Sequence, residues 1–246
     1  MGVIDNIQSL ITAANSATGK TDADMTAATK SLIAGYGGGG GDIYDYATTP
    51  VTTTLEKMFA GAVFPEGFEA TLNLSILRPA AVKTSVSSLF SAAKNLKSIK
   101  FKRKPEEPEI KIDAHYMFFN IFALKMVDIS QANFIFSTCY DTFSGCFNLE
   151  EIKGAIKLAP DANVGGGMFN RAPNLKEVRF APNSILKTFR LNASPKLSAE
   201  SIQSIIGGLS DLSSTAPQTL TLHPDVKGIL TPKQLNTISS KNWTLA

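Results

Sequence analysis

The sequence predicts an α/β solenoid of stacked repeats, and a phrase that recurs four times carries this prediction. In each copy an aromatic residue is followed six positions later by Leu and nine positions later by Ile or Val. The copies begin at Phe90, Phe118, Phe143 and Phe169, so the steps between them are 28, 25 and 26 residues. Repeats of this length bury one apolar face against the next repeat and present extended surfaces to partners.

The second half of each phrase predicts a short strand. From Leu96 to Phe101 apolar and polar residues alternate, which is the period of a strand with one buried face. We expect Leu96, Ile99 and Phe101 to face or border the core, while Lys97 and Lys100 face water.

The first half of each phrase predicts a single helical or 3₁₀ turn that places Phe90 in the core, because the segment is too short for a free helix. The position three residues after the leading Phe would lie close against the strand, and it holds Ala93, Ile121, Cys146 and Ala172. The residue before the repeated Leu is Asn95, Asn148 or Asn174 in three of the copies. Because Asn bonds its local backbone and tolerates bent conformations, we expect a turn role for it rather than ligand binding.

The two ends of the repeats differ from the middle, as the ends of a stack must. Upstream, Phe59 begins the phrase, but Pro65 occupies the Leu position, so 55–80 is expected to form a divergent first repeat with an added strand at 70–77. Downstream, residues 197–246 predict an α/β cap. Its expected elements are a helix N-capped by Ser198 and ending at 207–208, a strand at 219–222, a helix with Pro232 in its first turn, and a strand at 243–245.

The first 54 residues predict a different kind of structure. Residues 1–34 carry two short amphipathic helices, which are marginal alone and need a partner to cover their apolar stripes. Residues 35–54 include five consecutive glycines at 37–41 and predict a flexible hinge and linker. We expect 1–34 to be an anchoring and assembly segment that binds copies of itself or a larger assembly.

Composition restricts the classes of function. The chain has 246 residues, 43% of them hydrophobic and 18% charged, and its net charge of +3 is too weak to predict binding to nucleic acid or to an anionic membrane. We expect no signal peptide and no membrane-spanning segment. The charge-mixed stretch 97–109 is expected to form a solvated loop between repeats, and Cys139 and Cys146 are expected to be reduced, with Cys146 buried.

No catalytic or metal-binding pattern is complete in the sequence. The stretches 17–21 and 161–166 resemble a phosphate-binding loop and a calcium loop, but each lacks a required residue. His115 and His223 have no metal-ligand spacing, and no Ser-His-Asp arrangement or carboxylate pair can be assembled. We therefore predict that the protein is not an enzyme, holds no cofactor or metal, and uses both histidines structurally.

The repeats resemble a known family. The stretch 143–152 is similar to the BspA-type leucine-rich repeat, in which an aromatic residue is followed by two residues, Cys or Ala, Asn-Leu and then Ile. The resemblance covers about 55–196; it is strongest at 143–152 and 169–180, and looser at 118–129, where Ala123 replaces the Asn. It implies a leucine-rich-repeat solenoid with short strands and helical turns.

The ends carry a narrower resemblance. Residues 13–36 resemble a leader segment of tail-associated structural proteins of phages and prophages, and 197–245 are similar to the ending of such proteins. This implies a virion protein, assembled in the bacterial cytoplasm, that contacts other tail proteins through 1–34 as a homo-oligomer. Its repeats would bind a bacterial surface glycan or protein. Among aromatic residues of the loops between repeats, Tyr116, Phe136 and Tyr140 are the candidate contact residues, and the alternative for each is a place in the core. The alternative is a bacterial BspA-like adhesin or protein-interaction module, for which a secretion signal and a cell-wall anchor are expected but not found.

Overall fold

The computed structural model describes residues 54–77, 83–165 and 167–246. The helices predicted in 1–34 and nearly all of the linker predicted at 35–54 lie outside these residues. The described part is a mixed α/β structure with parallel strands in sheets and few helices.

Two parallel sheets run along the repeats. The first contains, in spatial order, β1 (Val63–Asn73), β3 (Lys94–Lys102), β5 (Met126–Gln131), β7 (Glu151–Ile156) and β9 (Glu177–Phe180). The second contains β2 (Thr84–Ser85), β4 (Ile110–Asp113), β6 (Phe134–Thr138) and β8 (Leu158–Asn163). Each strand therefore pairs with the strand one repeat later, and the chain alternates between the two sheets. The added strand predicted at 70–77 is corrected: β1 begins earlier, and a 3₁₀ turn occupies Leu74–Ile76.

The C-terminal elements form a third parallel sheet with helices beside it. Its strands are β10 (Phe189–Leu191), β11 (Gln218–Leu222) and β12 (Trp243–Leu245), and the helices are α1 (Ala199–Gly208), α2 (Pro224–Gly228) and α3 (Pro232–Ser240). The predictions for α1, β11, α3 and β12 are confirmed, including the N-cap of α1, where the Ser198 hydroxyl accepts from the Ser201 amide. Short α2 was not predicted, and β10 brings residues from before 197 into this sheet.

The segment before each strand of the first sheet is a chain of hydrogen-bonded turns, so the predicted helical or 3₁₀ turn is wrong. In 86–93, three overlapping turns are closed by amides of residues 89, 91 and 93, which donate to carbonyls three residues earlier at 2.9–3.2 Å. The intervening amides donate to the next repeat; for example, Phe90 N–H donates to the Met117 carbonyl at 2.9 Å. The same pattern recurs at 55–62, 114–121 and 139–146, and we call these stacked turns the turn ladder.

This pattern needs left-handed backbone at every fourth residue. Ser88 and Ala92 have φ of 53° and 57°, and Tyr116 and Asn120 in the next repeat have 55° and 58°. A regular helix would direct every amide back along its own chain, so it would leave none to join the repeats. In the turn ladder the two kinds of hydrogen bond alternate, so every second amide closes a local turn and the amides between them bond the next repeat.

The leading aromatic residues form a buried column, as predicted. Phe90, Phe118, Phe143 and Phe169 are each at most 1% exposed, with consecutive ring centroids 5.9, 5.3 and 5.4 Å apart and rings nearly parallel. Phe59 of the divergent first repeat extends the column, 5.2 Å from Phe90.

Strand and turn side chains fill the space around this column. Leu96, Ile99 and Phe101 are fully buried, as the alternation predicted. Cys139 and Cys146 are free and buried, and burial raises the pKa of each thiol to about 12. Both thiols are therefore neutral at physiological pH, and the predicted burial of Cys146 is confirmed.

The asparagines before the repeated Leu connect repeats rather than only shaping turns. The side-chain amides of Asn95, Asn148 and Asn174 donate to the backbone carbonyls of Phe64, Phe122 and Phe147, at 2.9, 2.8 and 2.8 Å. Only Asn95 among the three has a left-handed φ, of 65°. The predicted local turn role therefore applies to Asn95 alone.

The charge-mixed stretch 97–109 is not one solvated loop, because its residues up to Lys102 belong to β3 and Arg103 is only 5% exposed. Its Nη1 donates to the Pro108 carbonyl at 2.8 Å and lies 3.2 Å from the Glu107 carboxylate. Burial, partly offset by Glu107, lowers the pKa of Arg103. The loop after β3 is therefore closed by an ion pair between a buried arginine and a partly exposed glutamate. Alternating charges in the sequence do not distinguish such a pair from a solvated surface.

We expect the buried column to carry much of the stability. Phe143→Ala should reduce the free energy of unfolding by about 3–5 kcal/mol, because it removes a fully buried ring. Phe147→Ala is the matched control in the same repeat; its ring is 36% exposed, so the loss should be about 1 kcal/mol or less. Urea unfolding followed by fluorescence of the single tryptophan, Trp243, measures both. Equal destabilisation by the two variants would contradict the column's role.

Candidate binding surface on the turn ladder

Two of the three predicted contact residues lie together, and the third does not. Tyr116 and Tyr140 are half-buried, with ring centroids 5.3 Å apart and rings perpendicular. Phe136 is 2% exposed and belongs to the core beside Phe134, so the prediction that it contacts a ligand is wrong. Three consecutive residues of β6 are buried, and Phe136 is the third of them.

His115 lies against both tyrosines. Its ring stacks on Tyr140 at 5.0 Å and meets Tyr116 edge-on at 5.6 Å. His115 Nδ1 is 2.6 Å from Asp113 Oδ1, and Nε2 is 2.8 Å from Ser87 Oγ. With an acceptor on Nδ1, the neutral ring carries its proton there and accepts from the Ser87 hydroxyl at Nε2. We call Ser87, Asp113, His115, Tyr116 and Tyr140 the His115 cluster.

The cluster corrects the expectation that no Ser-His-Asp arrangement exists in this chain. The order of contacts, serine to imidazole to carboxylate, is that of acyl-transfer enzymes. Such chemistry also needs an accessible nucleophile and free hydrogen-bond donors for an oxyanion. Ser87, however, is 1% exposed, so a substrate carbonyl has no approach to its hydroxyl in this conformation.

The turn ladder also occupies the amides that could form an oxyanion hole. The Ser88 amide donates to the His115 carbonyl at 2.9 Å, and the Leu89 amide donates to Val86 at 3.2 Å. Ser87's own amide lies 3.4 Å from Ser85 Oγ. The geometry therefore supports a hydrogen-bond chain that joins adjacent repeats rather than a nucleophilic site.

A lysine forms an ion pair with the aspartate of the His115 cluster. Lys83 Nζ lies 2.7 Å from Asp113 Oδ2. Burial of Asp113 opposes its ionisation, but hydrogen bonds from Lys83 and His115 together outweigh burial and lower the pKa of Asp113. Burial, with Tyr116 and Asp113 nearby, raises the pKa of Tyr140. Like any tyrosine at physiological pH, Tyr140 has a neutral hydroxyl that can donate to a ligand.

A second aromatic group on the turn ladder was not predicted. Phe122 and Phe147 are 57% and 36% exposed, and their rings stack with centroids 5.5 Å apart. The Arg171 guanidinium lies over the Phe147 ring, 5.8 Å from its centroid. We call these three residues the aromatic patch. The sequence does contain a signal for it, since both phenylalanines lie four residues after a leading Phe, where the turn ladder ends.

Asn120 and Gly145 help to position the Arg171 guanidinium in the aromatic patch. Asn120 Oδ1 accepts from Arg171 Nη2 at 3.3 Å and so holds the guanidinium near Phe147. A side chain at Gly145, in the repeat between them, would collide with Asn120 Oδ1. Gly145 also has a φ of 78°, which glycine adopts without strain.

The His115 cluster and the aromatic patch share one face. Tyr116 contacts Phe119 edge-on at 5.1 Å, and Asn120, next in the same turn, bonds Arg171 of the patch. Residues 116–120 of the turn ladder thus connect the two groups. Because the ladder's backbone bonds are made within and between repeats, its side chains are held on a fixed frame.

Within 54–77, 83–165 and 167–246, no three His, Cys, Asp or Glu side chains group as a metal site would require. No helix among these residues has the length and apolar character to cross a bilayer. In comparisons with known proteins, the chain matches no family model, no curated protein and no solved structure.

The lowered pKa of Asp113 predicts a pH-dependent contribution to stability. Its ionised form stabilises the folded chain above the ordinary pKa of 3.8, and this contribution is lost as pH falls through the lowered folded-state value. Asp113→Asn should therefore destabilise by about 1.5–3 kcal/mol near neutral pH, with the difference shrinking in acid. Urea unfolding across pH measures this. The control is Asp161→Asn, whose carboxylate is 74% exposed; an equal pH dependence in both variants would contradict the role of Asp113.

Proposed function

We propose that this chain is a tail-associated structural protein of a phage, whose repeats form a BspA-type leucine-rich-repeat solenoid that recognises a bacterial surface component. The observation that carries the recognition role is the gathering of aromatic side chains from successive repeats on one face of the turn ladder. Tyr116, Tyr140, Phe122 and Phe147 come from two adjacent repeats and form two pairs of contacting rings, Tyr116 with Tyr140 and Phe122 with Phe147.

Three features support the solenoid part of the proposal. Strands pair in parallel with those one repeat later, the leading phenylalanines stack, and backbone amides of the turns bond across repeats. Each is the contact expected between units that cannot bury their apolar faces alone. The C-terminal sheet and helices would then cover the last repeat.

A rigid aromatic face is suited to recognition for an energetic reason. Ordering a flexible loop on binding reduces affinity, whereas a surface already fixed by backbone hydrogen bonds avoids much of that loss. Tyrosine supplies contact area and a polar hydroxyl with few rotatable bonds.

Attachment to the tail rests on sequence alone. The resemblance at 13–36 and 197–245 and the two amphipathic segments of 1–34 support assembly through the N-terminal residues. The glycine run at 37–41 would let several copies orient independently on one cell surface. Weak single-site binding is then strengthened by effective concentration, commonly by ~10²–10⁴.

The alternative proposal is a bacterial BspA-like adhesin or protein-interaction module. An adhesin could bind its ligand with the same aromatic residues, so the structure does not favour a phage tail protein over a bacterial protein. Neighbouring genes separate the two, since tail and lysis genes beside this one would favour the virion.

The recognition role is tested by binding of the full-length chain to bacterial cells. Labelled protein should bind cells of strains related to the one that carries the gene, and Tyr140→Ala should weaken binding on the order of tenfold, since aromatic contacts dominate such surfaces. Ile229→Ala is the control, because Ile229 is 66% exposed but lies after α2, outside the turn ladder. Flow cytometry over a concentration series gives the affinities.

Circular dichroism and the urea midpoint establish that both variants fold. Binding by a folded Tyr140→Ala variant at the parent's affinity would remove Tyr140 from the contact surface. Failure of the parent to bind any of these cells would overturn the recognition role.

A further inference from the structure

A cleft on the solvent-facing side of the first sheet is lined mainly by charged side chains. It has a volume of ≈ 280 Å³. That is the space of about nine waters at ~30 Å³ each, so the cleft can hold a small ligand. Its lining residues are Glu151, Ile152, Lys153 and Gly154 of β7, and Glu177 and Arg179 of β9.

The charges of the cleft are sorted by sign along the strands. Glu151 and Glu177 are partners in the register of β7 and β9. Lys153 and Arg179 each follow two residues later in the same strand, where side chains return to the same side of a sheet. The cleft therefore has an acidic end and a basic end, with two charges of each sign.

The acidic end is not an arrangement that stability alone favours. Like charges directly opposite each other on neighbouring strands are destabilising. Elsewhere in this sheet a cross-strand contact joins opposite charges, as Lys97 Nζ lies 2.8 Å from Glu69 Oε1. The pairing of Glu151 with Glu177 would be relieved by a cation bound between them.

Glu177 is held in place from behind by α1. The Ser198 hydroxyl, at the N-cap of this helix, donates to Glu177 Oε2 at 3.0 Å. The N-terminus of a helix also favours a nearby negative charge. The bond to Ser198 leaves Glu177 Oε1 for a ligand, and the carboxylate is oriented before the ligand arrives.

A β-bulge keeps Arg179 open at the basic end. The aligned pairs are Glu151 with Glu177 and Ala155 with Arg179, so residues 152–154 of β7 lie opposite the single residue Val178. Because Ala155 is small and apolar, it offers Arg179 no charged partner. Among the described residues the Arg179 guanidinium makes no ion pair or hydrogen bond, and its N–H donors face the cleft's solvent.

Lys153 is held only loosely. Its Nζ is 4.0 Å from Glu151 Oε2, and both side chains are well exposed. Its register partner in β5 is Asp128, which itself lies 3.8 Å from Lys100. Lys153 can therefore turn toward a ligand anion beside Arg179.

We propose that this cleft binds a short peptide with free ends, its ammonium on Glu151 and Glu177 and its carboxylate on Lys153 and Arg179. The inference goes beyond the proposed recognition role and does not depend on it.

The distance between the two ends of the cleft fits a peptide of two residues. Glu177 and Arg179 are two residues apart in β9, and a strand rises ~3.3 Å per residue, which separates their backbone positions by about 6.6 Å. An extended dipeptide spans the same two residues, so its charged ends are separated by a similar distance. A single amino acid carries both charges on one carbon, which brings them too close together to meet both ends.

Isothermal titration calorimetry of the full-length protein with alanyl-alanine tests the proposal at physiological ionic strength, where unspecific charge attraction is screened. We expect saturable binding that Glu151→Gln and Arg179→Ala each weaken on the order of tenfold, because each removes a charge-assisted hydrogen bond. Arg179→Lys should recover only part of the loss, because an ammonium cannot form the bidentate contact.

Matched variants outside the cleft are the controls. Arg190→Ala removes an exposed arginine of β10, and Glu106→Gln neutralises an exposed glutamate of the loop after β3. Both should bind the dipeptide like the parent. Urea unfolding of every variant checks that each is folded.

Three altered ligands separate the sources of binding. N-acetyl-alanyl-alanine lacks the cation, alanyl-alanine amide lacks the anion, and alanine keeps both charges at a shorter distance. Much weaker binding of all three supports the proposal. Binding of any one as tightly as alanyl-alanine overturns it, in favour of a simple anion site, a simple cation site or a single amino acid, respectively.

Two further outcomes would also overturn the proposal. If the parent shows no saturable binding of alanyl-alanine, the cleft is a solvated charged surface only. If folded Glu151→Gln and Arg179→Ala bind the dipeptide at the parent's affinity, the dipeptide is bound elsewhere. Neither result bears on binding of the protein to bacterial cells, which is measured separately.

Discussion

Hydrogen bonding between successive turns is the constraint on which the rest of this structure depends. In the turn ladder alternate amides close local turns and the others donate to the next repeat, as Phe118 N–H does to the Thr142 carbonyl at 2.9 Å. This fixes the distance between repeats along the face where the turns lie, as strand pairing fixes it in the two sheets. The leading phenylalanines can stack only because both sets of bonds keep the same spacing.

The constraint has an energetic cost and a functional consequence. Non-glycine residues such as Ser88 and Tyr116 are held with left-handed φ, a conformation that costs on the order of 1–2 kcal/mol per residue. Bonds between the repeats and burial of the column offset that cost. Once the backbone is fixed in this way, side chains at one repeat position form straight rows, and two exposed rings in such a row become a binding surface.

Much of the fold was predictable because residues that recur at the repeat period are the ones that the stacked repeats bury. The spacing of the leading Phe residues was enough to predict the buried column, and Ser198 and Pro232 marked the two longer helices through capping rules that act locally. The turn type was not predictable from those patterns, since left-handed φ at Ala92 or Tyr116 is imposed by the neighbouring repeat and not by the residue itself. Arg103 was wrongly predicted to be solvated for a similar reason, because the Pro108 carbonyl that accepts from it is brought into place only when the loop folds.

In the candidate site, too, some features could be predicted from the sequence and others could not. Ser87 and His115 are 28 residues apart, so their contact follows from the register between repeats, which a motif search along the chain does not examine. Phe122 and Phe147 could have been found by aligning the repeats on their leading Phe and asking which aromatic positions fall at the exposed end of the turn. Phe136 was misjudged because β6 is buried on consecutive residues, whereas an alternating strand would have exposed some of them.

Amide hydrogen exchange tests the turn ladder most directly. If the inter-repeat bonds hold the structure together, the amides of Phe90 and Phe118 should exchange as slowly as that of Ile99 in β3, and much more slowly than that of exposed Ser213. Exchange of Phe90 and Phe118 at the rate of Ser213, while Ile99 stays protected, would show that the turns open independently of the sheets. That result would contradict the central role given to the ladder and the rigid face derived from it.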